Sequence, residues 1–181
     1  MQLSWVFIVS IALIYYSRTG VTRSVAVFIK ERLASIGFRV DLYELKPLRE
    51  YIKPLHFNPR LIIDTIVKSN VEYIGDEEFK PEFYDTIVIG TPIWYGQPTP
   101  IVKSFTIKWR SRIKAPVACY TTSTLNIKYS EKFRKYLETL GYNVILDFSV
   151  VKSLNKSLET VEKALEEIVR TLHTRKTMRT T

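Results

Sequence analysis

Apolar and polar positions follow two alternating patterns along this chain. Short apolar runs, typical of buried parallel strands, occur at residues 11–16, 38–45, 85–90, 116–121 and 142–150. Segments with apolar residues at helical spacing predict helices at residues 21–36, 60–69, 100–110, 128–140 and 158–172. Strands that alternate with helices in this way predict an α/β fold, a doubly wound five-stranded parallel sheet with helices on both faces.

The chain has 181 residues and no visible linker, which predicts a single domain over residues 1–181. The first 16 residues are apolar, but they lack a positively charged start and are short for a bilayer span. We therefore expect no stable membrane insertion. Residues 1–8 are interpreted as an N-terminal extension, either extra strand length or a misassigned start, and residues 173–181 as a basic C-terminal tail.

Composition narrows the class of protein further. Hydrophobic residues make up 46% of the chain and aromatic residues 13%, as in a folded globular protein. The one cysteine, Cys119, lies in an apolar run, which predicts a buried side chain and excludes an intramolecular disulfide. His56 and His173 lie far apart, so no metal site is indicated. The net charge of +9 is spread along the chain without a nucleic-acid-binding motif. We expect no nucleic-acid partner, and a cytoplasmic protein.

A hydroxyl-rich turn separates the first strand from the first helix, and it reads Ser17-Arg18-Thr19-Gly20-Val21-Thr22. At the start of a helix the main-chain N–H groups point outward and the helix dipole favours an anion, so this turn suits a bound phosphate. The alternative is that Ser17 and Thr19 only cap the helix. Capping explains one hydroxyl, whereas three hydroxyls around one glycine favour the phosphate.

The turn resembles the phosphate loop of flavodoxins, which has the pattern Ser-x-Thr-Gly-x-Thr after the first strand. Residues 84–96 resemble the third strand and the flavin-ring loop of the same superfamily, and the two segments occur in the expected order. The resemblance implies the strand order 2-1-3-4-5, with FMN bound where strands one and three end. It implies that the FMN phosphate is held by Ser17, Arg18, Thr19, Gly20, Val21 and Thr22.

The resemblance assigns the flavin ring to two further loops. The first contributes Thr91, Pro92, Ile93, Trp94, Tyr95 and Gly96. Its adjacent aromatic residues offer faces on which a flat ring can stack, whereas packing of Trp94 into the core is the alternative. The second loop follows strand four and contributes Thr122 and Ser123. The alternative for this loop is that its hydroxyls cap the next helix.

Other nucleotide-binding classes match the sequence less well. The chain contains neither Gly-x-Gly-x-x-Gly nor Gly-x-x-x-x-Gly-Lys-Ser/Thr. Receiver domains of signalling proteins share the strand order but need an acidic pocket after the first strand, and residues 14–22 hold no carboxylate. FMN, which the resemblance implies, is the cofactor that we expect.

Membership in this superfamily implies redox chemistry that the flavin performs and the protein tunes. The protein is expected to act in electron transfer as a carrier. The alternatives are an enzyme, either an NAD(P)H-dependent quinone reductase or a protoporphyrinogen-oxidising flavoenzyme, and a flavin-free interaction module. The expected partner is a redox protein or a small quinone-like acceptor.

The charge pattern adds an expectation about the flavin environment. Residues 91–130 contain no Asp or Glu, and they carry Lys103, Lys108, Arg110, Arg112, Lys114 and Lys128. We expect much of this stretch to lie around the flavin-bearing end of the sheet or on the helix beside it. A positive field there would favour the anionic reduced flavin.

Overall fold

The structure is a computed structural model that describes residues 9–49, 59–66 and 71–179. Within these residues the strands are β1 (Ser10–Tyr16), β2 (Arg39–Pro47), β3 (Tyr73–Ile74), β4 (Thr86–Trp94), β5 (Gln97–Pro98), β6 (Val117–Ser123) and β7 (Val144–Val151). The helices are α1 (Val21–Ser35), α2 (Pro59–Ile66), α3 (Pro100–Trp109), α4 (Ser130–Thr139) and α5 (Leu158–Arg179). Two short 3-10 turns lie at Pro81–Phe83 and Asn155–Ser157.

The long strands form one parallel sheet in the order β2-β1-β4-β6-β7. Counted among the parallel strands alone, this is the predicted order 2-1-3-4-5, and the α/β fold class is confirmed. The short strands β3 and β5 pair antiparallel with β2 and β4, respectively. Neither short strand was predicted, because two residues are too few for a periodic pattern.

Helices cover both faces of the sheet, which is why the inner strands are apolar on both sides. Along β1, Ile11 and Leu13 enter the core formed with α1 and α5. The alternate residues Ala12 and Ile14 enter the core formed with α3 and α4. All four side chains are fully buried. The predicted burial of Cys119, on β6, is confirmed as well.

Two predicted elements are longer in the structure. The third parallel strand was predicted to end at residue 90 and to be followed by a loop, but β4 continues to Trp94 and turns back as a hairpin into β5. The stretch predicted as a basic tail is helical as far as Arg179, so it extends α5. The predicted N-terminal extension, residues 1–8, lies outside the described residues, as do residues 67–69 of the predicted 60–69 helix.

In the part of the chain that the structure describes, none of the helices combines the length and apolar character that crossing a bilayer requires.

The strand register brings the carboxyl ends of β1, β4 and β6 together. Tyr15 pairs with Gly90 across β1 and β4, and Thr91 pairs with Thr121 across β4 and β6. The loops that follow these strands therefore share one edge of the sheet, where doubly wound proteins bind ligands.

Candidate cofactor-binding site

The turn between β1 and α1 has the backbone geometry of a helix start that faces outward. Gly20 is the residue that precedes α1, and it adopts the left-handed conformation with φ 90°. Its carbonyl accepts bonds from the Ser24 amide at 2.8 Å and from the Ser24 hydroxyl at 3.0 Å. Within the described residues no side chain caps this helix. The interpretation that Ser17 or Thr19 serves only as a helix cap therefore has no support from the hydrogen bonds.

The hydroxyl of Ser17 is the most telling group in this turn. Its oxygen is buried, yet none of the residues that the structure describes forms a hydrogen bond with it. Most buried side-chain hydroxyls in folded proteins are hydrogen-bonded, because an unsatisfied one costs about 1–3 kcal/mol. A buried hydroxyl of this kind, beside the outward-pointing N–H groups of α1, suits a phosphate acceptor.

A cavity of about 360 Å³ opens beside the same turn. Ser17, Arg18 and Thr19 line it from the loop, and Glu44 and Lys46 line it from β2, together with Tyr16, Arg23 and Pro47. The parallel register pairs Tyr16 with Leu45, so Lys46 comes level with Ser17, the first residue of the loop. Lys46 was not among the predicted site residues, because the implied strand order places β2 beside β1 but does not fix the register that brings Lys46 level with Ser17.

Arg23 and Glu44 join α1 to β2 at the wall of this cavity. The Arg23 guanidinium donates two hydrogen bonds to Glu44 Oε1, the one from Nε at 3.1 Å. Burial first, and the Glu44 carboxylate second, raise the pKa of the neighbouring Tyr15, so that phenol stays neutral. The Arg23–Glu44 pair largely cancels its own charge, and Arg18 and Lys46 are the other cationic residues among those that line the cavity.

Two residues predicted to contact the cofactor also contact each other. The hydroxyl oxygens of Thr22, in the first turn of α1, and Thr122, on β6, lie 2.8 Å apart and are buried. The carbonyl of Thr22 also accepts a bond from the Tyr120 hydroxyl at 3.0 Å. The structure thus brings the predicted phosphate loop and the predicted third loop together through these threonines.

The predicted ring loop is the hairpin between β4 and β5. Tyr95 and Gly96 form its two-residue turn with φ of 49° and 70°, the backbone signature of a tight hairpin turn. Lys132, on α4, donates from Nζ to the Gly96 carbonyl at 2.9 Å and anchors the turn. The side chain of Tyr95 is exposed at this tip. A hairpin anchored in this way is a firmer support for a flat ring than a free loop.

Of the other residues of the predicted ring loop, three are half-buried and one is fully buried. Trp94 is half-buried and meets Tyr16 edge to face, with 5.5 Å between ring centroids and an interplanar angle of 89°. Pro92 and Ile93 are half-buried on β4. The Thr91 hydroxyl is fully buried and bonds with the Thr99 hydroxyl at 3.1 Å. Thr91 therefore ties β4 to the start of α3.

Ser123 lies at the carboxyl end of β6, where the third loop begins. Its hydroxyl donates to the carbonyl of Leu125 at 2.9 Å and to that of Ile127 at 3.3 Å. This hydroxyl therefore shapes its own loop, and it does not cap α4, which begins at Ser130. Leu125 and Ile127 are exposed beside the site.

The basic stretch 91–130 lies differently from what was expected. Arg112 and Lys114 line a second cavity together with Asp85 and Pro116, which immediately precede β4 and β6. That cavity is at the amino ends of the strands, so the expectation of proximity to the site is wrong for these two cations. Arg112 also pairs with Glu82 at 3.8 Å. The positive charge placed at the site comes instead from residues such as Lys46 and Lys132.

The chain has a doubly wound sheet, and the predicted site loops lie together at the switch point of its strand order. These features place it in the class of α/β proteins that bind ligands at the carboxyl edge of the sheet. A family sequence model described as Flavodoxin matches residues 10–166 of the chain. That match covers most of the sequence, so the chain belongs to the flavodoxin family. Among curated proteins, no sequence matches the chain.

Solved structures show the same fold. The chain is similar to a flavoprotein in complex with FMN from Lactobacillus acidophilus NCFM, with 21% identity, a TM-score of 0.65 and coverage of 84% of this chain and 98% of that one. It is similar to oxidised flavodoxin 2 from Bacillus cereus, with 16% identity, a TM-score of 0.60 and coverage of 90% and 99%. It is also similar to rubredoxin oxygen:oxidoreductase from Desulfovibrio gigas, with 11% identity and a TM-score of 0.61. That match covers 91% of this chain but 36% of the larger protein.

Proposed function

We propose that the protein binds FMN at the carboxyl edge of its sheet and acts in electron transfer. The observation that carries the proposal is the buried, unsatisfied hydroxyl of Ser17, among the described residues, in the turn before α1. The similar flavoprotein from Lactobacillus acidophilus was crystallised with FMN, which supports the same cofactor here. Membership in the flavodoxin family supports the proposed electron transfer.

Each part of the site has a separate role in this proposal. Ser17, Thr19 and the first N–H groups of α1 bind the phosphate, and Arg18 and Lys46 balance its charge, about −1.5 to −2 for a phosphate monoester at neutral pH. The β4–β5 hairpin presents Trp94 and Tyr95 to the flavin ring. The bound flavin supplies the electron-accepting and electron-donating chemistry, and the protein holds it, orients it and limits its access to water.

Neither Cys119 nor His173 supplies acid–base chemistry at the described site, which supports a carrier. Cys119 is buried in β6, and burial raises the pKa of its thiol far above the ordinary range. His173 lies on α5 and contacts Phe38, away from the loops. The described residues of the site present hydroxyls, aromatic rings, cations and the Arg23-paired carboxylate of Glu44. We propose an acidic redox protein or a small quinone-like acceptor as the partner, and a cytoplasmic location.

Flavin titration of the purified protein tests the proposal. We expect FMN to bind with quenching of flavin fluorescence, and riboflavin, which lacks the phosphate, to bind at least tenfold more weakly. Equal affinity for both flavins would overturn the phosphate assignment. A steady NAD(P)H oxidation rate with a quinone would identify an enzyme, whereas reduction and reoxidation that require a protein partner would identify a carrier.

A further inference from the structure

The first turn of α1 is tied to β6 through one residue, Thr22. Its main-chain carbonyl accepts a bond from the Tyr120 hydroxyl at 3.0 Å, and its side-chain hydroxyl bonds with Thr122 at 2.8 Å. Thr22 is the second residue of α1, within the turn whose N–H groups have no partner inside the helix. Those are the N–H groups that would face a phosphate, so β6 controls the position of the turn that carries them.

Gly90 makes room for the phenol that reaches Thr22. The Tyr120 ring lies across β4 at this glycine, where an added Cβ would stand 2.1 Å from Cζ and 2.4 Å from the hydroxyl oxygen. Phe148, on β7, stacks on the Tyr120 ring with centroids 5.4 Å apart and an interplanar angle of 15°. Tyr120 itself is fully buried. The ring is thus confined by its neighbours, and its hydroxyl has a fixed position against α1.

The phenol acts as a permanent donor in this position. Burial first, and the nearby Tyr15 second, raise the pKa of Tyr120 well above its ordinary value. The hydroxyl therefore keeps its proton throughout the neutral range. A neutral O–H directed at the Thr22 carbonyl can hold that peptide in one orientation without adding charge beneath the phosphate loop.

We propose that Tyr120 is a positioning residue for phosphate recognition, because its bond to the Thr22 carbonyl sets the direction of the first N–H groups of α1. The inference rests on the proposed binding of FMN. It assigns a role to a residue outside the loops, one that acts through Thr22 from the core between the sheet and α1. Loss of the hydroxyl should therefore weaken recognition of the phosphate and leave recognition of the flavin ring unchanged.

The chain offers a matched pair of variants for the test. Tyr120→Phe removes the hydroxyl and keeps the ring. Tyr142→Phe removes another buried phenol, which donates to the Thr106 carbonyl of α3 at 2.7 Å on the other face of the sheet. Both variants should lower the urea midpoint by similar amounts. Only Tyr120→Phe should lower the ratio of FMN affinity to riboflavin affinity, by about three- to tenfold.

Two further readouts separate positioning from a general loss of stability. In Tyr120→Phe, the ³¹P resonance of bound FMN should shift, and amide exchange at Thr22 and Arg23, whose N–H shares a peptide plane with the Thr22 carbonyl, should be faster in the apoprotein. Neither change should occur in Tyr142→Phe. If Tyr120→Phe does not fold, Phe148→Leu removes the stacked ring but leaves the phenol, and it should lower the same affinity ratio.

The outcomes distinguish this inference from the function on which it rests. A wild-type protein that binds neither flavin overturns both. A wild-type protein that prefers FMN, with the same preference in Tyr120→Phe, overturns the role of Tyr120 alone. An equal fall for FMN and riboflavin, or an equal loss of preference in Tyr142→Phe, also overturns it, because both results indicate a general structural effect. If Tyr120→Phe does not fold, an unchanged ratio of FMN affinity to riboflavin affinity in Phe148→Leu overturns the role of Tyr120.

Discussion

The side-chain oxygens of Thr22 and Thr122 lie 2.8 Å apart, although 100 positions separate the two residues in the chain. Their exposed fractions are 2% and 4%. Each was predicted as a cofactor contact, and one of the two hydroxyls donates a hydrogen bond to the other. The pair therefore joins the start of α1 to the end of β6, and it contributes to stability whether or not a flavin is bound.

The Thr22–Thr122 pair predicts a specific pattern of stabilities. Thr22→Val or Thr122→Val alone leaves one buried hydroxyl without its partner and should lower the free energy of unfolding by about 1–3 kcal/mol. The double variant removes both polar groups, so its loss should be smaller than the sum of the two single losses. Urea unfolding of the four proteins at one pH measures this coupling. Strictly additive losses would contradict it.

The layered architecture could be predicted because it depends on patterns within each segment. The run Ile11–Ile14 is apolar at every position, which indicates a strand covered on both faces, and that is how β1 lies. The end of β4 could not be predicted in the same way. Pro92 and Gly96 suggested a loop, but Gly96 instead supplies one of the two positive φ values of a hairpin turn that prolongs the strand.

The loops that form the site were predicted, but the direction in which each of their side chains points was not. Sequence identifies the hydroxyls of Ser17 and Thr22, yet it does not tell which one faces the core. The structure leaves the Ser17 oxygen unsatisfied among the described residues and pairs that of Thr22. Lys46 was missed because its place beside the loop depends on the β1–β2 register, a pairing between distant parts of the chain.

Lys46 is predicted to contribute to phosphate affinity through its charge. Lys46→Met keeps the apolar stem and should weaken FMN by about two- to fivefold, the range for an exposed ion pair. Riboflavin affinity should not change, and added salt should reduce the difference between variant and wild type. Lys114→Met, in the cavity at the opposite edge, is the control and should leave both affinities unaltered. Identical FMN affinities for the two variants at low salt would exclude this role.

Trp94 is predicted to stack on the flavin ring from its half-buried position at the hairpin. Trp94→Ala should weaken FMN by about two- to tenfold, because an aromatic pair contributes about 0.5–1.5 kcal/mol. Trp94→Phe should retain most of the affinity, since it keeps a ring. Fluorescence titration gives the affinities, and thermal unfolding reports the lost contact with Tyr16. A large fall in melting temperature without any change in flavin affinity would place Trp94 in the core alone.

Asp76 is predicted to make stability depend on pH in the acid range. Burial alone would raise the pKa of this carboxyl, but hydrogen bonds from Lys108, Trp109 and Tyr73 together hold the pKa below its ordinary value. The folded protein thus binds a proton at Asp76 less readily than the unfolded chain. The stabilisation is complete above the unfolded pKa, about 4, and is lost as pH falls through the lower folded value.

Urea unfolding between pH 3 and pH 7 measures that dependence. Asp76→Asn should lower the free energy of unfolding at pH 7 by about 1–3 kcal/mol, since it removes the charged acceptor that Lys108, Trp109 and Tyr73 share. It should also flatten the fall in stability below about pH 4. Glu159→Gln, at a solvent-exposed pair with Lys163, is the control and should change the acid limb much less than Asp76→Asn does. If the free energy of unfolding of Asp76→Asn falls with decreasing pH as steeply as that of the wild type, other carboxyls govern acid unfolding.

The potential of the bound flavin should respond to charge at the hairpin and not to charge at the far edge. Lys132 contacts the Gly96 carbonyl at the proposed ring site, whereas Arg112 pairs with Glu82 at the amino ends of the strands. Reduction places negative charge on FMN, so a nearby ammonium favours the reduced form. Lys132→Met should therefore make the potential more negative by about 10–40 mV, the equivalent of roughly 0.2–1 kcal/mol for one electron. Arg112→Met should leave it unchanged.

Spectroelectrochemical titration at two salt concentrations measures the potential of both variants, and the Lys132 effect should shrink as salt screens it. Equal shifts in the two variants would mean that the net charge of the protein, and not its placement, sets the potential.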